Sequence, residues 1–211
     1  MNKSITGANG LIAKVRKALD DIAPSVTDTF ATDTDNEITQ ALEHAAESLL
    51  MSVPVERLTP AVITETTTTP SWSRNVRLSD NSGYIVVPSD YLRFISLKMT
   101  DWQGTVNELM EPGSEAEKHQ RSKWSRGSNT KPKAMCDTLS EGTIIRYWPG
   151  SASNTLESLQ YVGHVSMANN TLVCALNDEC EKNLIYMACR IFLEGKKEAA
   201  TAEKFAQLMT E

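Results

Sequence analysis

The chain has 211 residues, 40% hydrophobic and 23% charged, an ordinary globular composition long enough for one large domain or a core with an extended arm. A formal net charge of −6 excludes a protein whose whole surface grips nucleic acid. The charge is unevenly placed: residues 118–133 hold six basic residues and no acidic one, so the remainder carries −12 against the total of −6.

Leu11, Val15, Leu19 and Ile22 recur at helical spacing between charged residues, which predicts an amphipathic helix of about three turns closed by Pro24. Residues 25–35, rich in Thr and Asp, read as a loop. Thr34 and Glu37 then have capping-box spacing. They open a helix with Ile38, Leu42, Ala45 and Leu49 on one face, ending near Ser52 before Pro54. Residues 59–73 are Thr-rich, and Thr suits extended backbone, so an edge strand or a loop lying on a neighbour is expected. Residues 1–10 and this stretch are candidate arms that fold on binding.

Residues 75–79 and 84–87 flank Asp80-Asn81-Ser82-Gly83 and predict a hairpin. Pro88 lacks an amide hydrogen and should end the strand, while Ser89 and Asp90 bend a turn. From Leu92 the pattern alternates, with Phe94, Ser96 and Lys98 on one face and Arg93, Ile95, Leu97 and Met99 on the other. A tighter turn over residues 102–106 would complete an antiparallel meander of three or four strands. Ser114 and Glu117 repeat the capping-box spacing, predicting a short helix from Glu115 to about Trp124. A polar loop over 126–132 leads to strands at 133–138 and 143–148. Residues 156–162 are expected to return on the latter as a hairpin with a long connector. Asn177 or Asp178 should cap a final helix carrying Cys180, Leu184, Met187 and Ile191, interrupted at Gly195 and resumed over 196–209. The pattern is α+β: N-terminal helices over 1–58, an inserted antiparallel β region over 59–176, and C-terminal helices over 177–211.

Cys136, Cys174, Cys180 and Cys189 make no CxxC pair or zinc-like spacing, and they read as small buried thiols. The N-terminus does not resemble a signal peptide, and no apolar run approaches the roughly 18 residues that span a bilayer. A soluble cytoplasmic protein is expected, with no membrane partner. His44, His119 and His164 are far apart, each without a nearby second ligand. No P-loop, GxGxxG, GxSxG, HExxH or acidic calcium loop occurs, so neither catalytic residue, metal nor cofactor is assigned.

The binding candidate is the basic segment. Lys118, Arg121, Lys123, Arg126, Lys131 and Lys133 interleave with Trp124, a composition that holds phosphates and stacks on a base. The same composition docks on an acidic neighbouring subunit. A plain solvated loop is the third reading.

The run from Pro88 to Lys133 resembles the head–tail connector (adaptor or ring) proteins of tailed bacteriophages, especially short-tailed and crAss-like phages. The matching pieces are Val87-Pro-Ser-Asp-Tyr-Leu-Arg-Phe94, the strand ending at Trp102, and Val106-Asn-Glu-Leu109. The charged helix Glu115-Ala-Glu-Lys-His-Gln120 and the Trp124-Ser-Arg-Gly127 and Lys131-Pro132 loop follow in family order. Ile144-Ile-Arg-Tyr-Trp-Pro149 resembles the later strand, and the likeness spans about 80 of 211 residues. It implies a helical bundle with an inserted β region and a non-enzymatic virion protein at the head–tail junction, assembled in host cytoplasm. It further implies a ring of about twelve copies below the portal protein, touching other tail and ring proteins, with genomic DNA passing through unbound. The Thr-rich stretch over 59–73 departs from the family pattern. Arg93 and the Trp102 turn are then candidates to meet a neighbouring subunit, beside the basic segment. A nucleic-acid-binding accessory module and a tail-completion or stopper component are the alternatives.

Overall fold

The computed structural model describes residues 1–22, 34–64, 75–77, 81–120, 122, 125–140, 142–151 and 155–209. Their elements, in chain order, begin with β1 (Asn2–Ser4), α1 (Leu11–Ile22), α2 (Thr34–Ser52), β2 (Ala61–Ile63), β3 (Asn75–Arg77), β4 (Gly83–Val86) and β5 (Tyr91–Met99). There follow α3 (Glu115–Gln120), β6 (Lys133–Leu139), β7 (Gly142–Trp148), β8 (Leu156–Gly163), β9 (Ser166–Ala168), β10 (Thr171–Val173), α4 (Glu181–Gly195) and α5 (Ala199–Leu208). Together they make a mixed α+β fold whose three sheets are antiparallel throughout. The chain divides into two compact units, Met1–Thr59 with His164–Glu211, and Pro60–Gly163.

In the first unit, the apolar stripe of each helix sets its packing. Leu11, Val15 and Leu19 of α1 and Ile38, Leu42 and Leu50 of α2 are buried together with Leu184, Ala188 and Phe192 of α4. Removing each large aliphatic side chain from water is worth roughly 1.5–3 kcal/mol. Helix α4 is central, packing on α1, α2 and α5. Tyr186 meets Phe205 of α5 edge to face at 5.9 Å. Helices α4 and α5 are separated by residues 196–198 rather than by Gly195 itself. Lys197 takes φ 65°, its amide donates to Glu194, and the Glu198 amide reaches back to Leu193. That is the bonding of a Schellman turn, with lysine in the left-handed position that glycine favours. Asn177 does not cap: it precedes a 3-10 turn at Asp178–Cys180, and its side chain instead accepts from Thr59 Oγ1 at 2.8 Å.

A small sheet in the order β1-β10-β9 completes this unit. Residues expected to order only on binding are here paired, Lys3 opposite Leu172, with Ile5 buried. The β9–β10 hairpin was not anticipated, although Asn169 and Asn170 mark it. Both have positive φ, 50° and 57°, as a two-residue primed turn demands.

The second unit holds two sheets, β2-β8-β5 and β3-β4-β7-β6, which contribute to one buried cluster. Ile85, Ile145 and Tyr147 come from the four-stranded sheet, and Leu97, Met99, Leu159 and Tyr161 from the three-stranded one. The expected β3–β4 hairpin is present, with Val76 opposite Tyr84. The meander is not. Strand β4 pairs with β7, whereas β5, after the Pro88 corner, joins β8 in the other sheet. At that corner Tyr91 N donates to Pro88 O at 3.1 Å, and the chain crosses between sheets. The expected β7–β8 hairpin is also overturned. Beyond β7, Gly150 donates to Asn81 O at 2.7 Å and lies so close to Ser82 that a Cβ would meet its carbonyl at 2.4 Å. That contact diverts the chain, and Thr155 then clasps Thr100 to start the β8–β5 ladder. The expected edge strand within 59–73 is β2, on the rim of its sheet beside β8. Residues 65–74 lie outside those described.

Candidate functional site

Helix α3 begins with half of a capping box: Ser114 Oγ accepts from Glu117 N at 3.3 Å, while the Glu117 carboxylate accepts not from the cap amide but from Gly113 N before it, at 2.7 Å. The helix spans Glu115–Gln120, and its expected end at Trp124 falls outside the described residues. Gln120, only 6% exposed, donates Nε2 to Ala116 O at 2.8 Å and accepts from Gly127 N at 2.7 Å. The basic loop is therefore tied to the helix at its root. Residues 128–131 form a tight turn, closed by reciprocal backbone hydrogen bonds between Ser128 and Lys131. Asn129 O accepts from Gln103 N at 2.8 Å, fixing the turn on the bend that follows β5. Two glycines permit this close approach. A Cβ on Gly104 would stand 3.0 Å from Thr130 O, and one on Gly127 would stand 2.8 Å from Trp148 O.

On this frame Lys131 and Lys133 are exposed, and no carboxylate of the described residues pairs with either. Lys118 is bonded to Glu115 across one helical turn at 2.7 Å. Arg126 is half-buried. Arg121, Lys123 and Trp124 lie outside the described residues. Arg93 is half-buried on β5, between register shifts in its pairing with β8. Trp102 does not belong to the surface. It is 3% exposed, donates Nε1 to Pro149 O at 3.3 Å, and stands edge-on to Tyr147 at 5.6 Å. Its indole has a large apolar area to bury and one donor to satisfy, and the core does both. As a partner-binding side chain it is withdrawn.

A feature that no sequence motif announced is a cleft of about 650 Å³ at the Pro88 corner, lined by Pro88, Asp90, Tyr91, Gly142, Thr143 and Tyr161. The Tyr91 and Tyr161 rings stack at 6.0 Å. Tyr161 donates its hydroxyl to Asp90 Oδ1 at 3.3 Å. Burial, reinforced by the Asp90 charge, pushes the Tyr161 phenol up to about 12, so it remains a donor at neutral pH. Burial likewise takes Tyr91 to about 12. Asp90 itself is exposed, and no cation of the described residues pairs with it. Gly163 makes room for it, since a Cβ there would come within 2.9 Å of Asp90 Oδ2. The cleft is thus an aromatic wall with a carboxylate at its mouth, suited to a guanidinium or ammonium group.

Among the described residues, no three His, Cys, Asp or Glu side chains are grouped to hold a metal, and no helix is long and apolar enough to cross a membrane. His44 and His119 are exposed on separate helices, and His164 faces Glu47 at 3.2 Å. Cys174, Cys180 and Cys189 are buried free thiols, and Cys136 is half-buried. No family model matches the chain, and no curated protein matches it in sequence.

Proposed function

We propose that this chain is a structural subunit of a tailed-phage virion, a head–tail connector that docks below the portal and forms part of the genome channel wall. In this reading the helices from the two chain ends make a bundle and the β region is its insertion. The observation that carries it is the basic loop, a cationic turn fixed by Gln120, Asn129 and close-packed glycines on an otherwise acidic chain. A rigid charged projection loses little entropy when it docks, which suits a repeated subunit contact. The sequence resemblance over residues 88–133 and 144–149 supplies the class of assembly. The acidic remainder suits a wall past which DNA slides without binding. The subunit works without cofactor or active site, as a homo-oligomeric ring touching portal and tail proteins at the head–tail junction.

Light scattering and negative-stain imaging of the full chain mixed with portal protein test this. Closed multi-copy rings bound to portal are expected; a persistent monomer that ignores portal would sink the proposal. DNA binding at low salt, weakened by neutralising Lys131 and Lys133, would point instead to a nucleic-acid-binding module.

A further inference from the structure

The cleft and the basic turn occupy opposite ends of the same strands. Tyr91 opens β5, Gly142 and Thr143 open β7, and Tyr161 lies near the end of β8; all four line the cleft. At the far ends, β5 leads into the bend that holds Asn129, β7 finishes at Trp148 opposite Lys133, and β8 starts beside Thr155. The registers agree, since Tyr91 pairs with Gly163 and Met99 with Leu156, while Leu139 pairs with Gly142. The eight steps from Tyr91 to Met99, at roughly 3.3 Å each, separate the two ends by about 26 Å. One unit therefore carries a carboxylate–aromatic cleft at one end and a rigid ammonium turn at the other. No described cation pairs with Asp90, and no described carboxylate pairs with Lys131.

We propose that the cleft at Asp90, Tyr91 and Tyr161 receives Lys131 from a second copy of this chain, so that copies join head to tail through their β units. The inference rests on the reading of this chain as an assembling subunit and names its contact. A head-to-tail contact leaves one cleft and one turn free on every pair, so it propagates, and it closes as a ring when the rotation between copies divides a full turn. Charge complementarity favours this occupant: the chain itself provides the cation, presented on a turn of fixed shape, and the cleft offers carboxylate and aromatic faces together. Lys133, exposed next to the turn, adds a second positive charge at the cleft mouth.

The test is sedimentation velocity of the full chain over a concentration series at low salt, with Asp90→Lys and Lys131→Asp variants alone and mixed. Both positions are exposed, and far-UV circular dichroism confirms that each variant is folded. The expected result is wild-type association that salt weakens, and single chains for either variant alone. An equimolar mixture should recover larger assemblies of alternating copies, because the Lys131 turn of D90K fits the Asp90 cleft of K131D and the reversed turn of K131D fits the reversed cleft of D90K. The D90K/K131D double reversal on one chain should recover larger assemblies. Asp90→Asn, which keeps an acceptor for Tyr161 but loses the charge, should weaken association about tenfold. A wild type that stays single at every concentration, or variants that associate as it does, would overturn the contact. Portal-bound rings that tolerate both variants would remove this contact and leave the connector reading standing. Association in the mixture without any portal binding would do the reverse.

Discussion

Gln120 uses both ends of its amide on backbone, Nε2 on Ala116 O and Oε1 on Gly127 N. Replacing it with Ala leaves a Gly127 amide short of its partner. A loss of about 1–3 kcal/mol is expected, with faster hydrogen exchange at Gly127 than in the wild type while Ile145 of β7 keeps its protection. Trp102 carries more area, and Trp102→Ala should cost about 3–5 kcal/mol in urea unfolding because the Tyr147 contact collapses with it. Glu181 gives the pH dependence. Hydrogen bonds from Lys14 and from Lys3, the latter at 2.8 Å, hold its carboxyl below the ordinary 4.5 despite some burial. A depressed folded pKa adds stability above the ordinary value, and that stability is lost as pH falls through the folded one. Glu181→Gln should therefore lower the melting temperature at pH 7, and the gap from wild type should close in acid.

At the scale of elements, glycines and turns decide where strands go. A Cβ on Gly83 would lie 2.3 Å from the fully buried Tyr147 ring, so Gly83→Ala should destabilise by about 1–3 kcal/mol through overpacking. Lys197 holds a left-handed turn at φ 65°, and Lys197→Gly should raise stability by up to about 1 kcal/mol in thermal melts. These cases mark what a linear reading can reach. Helical periodicity located α1 and α2, and Ser114 with Glu117 located the start of α3, because both signals lie within a few residues. Sheet pairing is not local. Strand β4 and β5 are neighbours in sequence, yet the partners that separate them, β7 and β8, come more than fifty residues later. The cleft was hidden for the same reason: Tyr161 is 71 residues from the Asp90 it bonds. The basic segment was legible as composition, but its rigidity depends on Asn129 reaching Gln103 and on Gly127 fitting against Trp148. Trp102 was misjudged because a tryptophan in a polar turn reads as exposed until the Tyr147 and Pro149 contacts are seen.

For the whole molecule, the proposed role is association with other copies and with portal. Among the described residues the ion pairs are mostly exposed, so each adds little stability. Stability resides in the two buried clusters. The acidic total of −6 is set against one basic segment, residues 118–133, which holds six positive charges and no negative one. The most direct measurement is the mass of the assembly formed when the full chain meets portal protein, taken by light scattering and checked by negative-stain imaging. A discrete closed ring of many copies bound to portal is expected. A single-chain mass at all ratios, with no portal bound, would contradict it.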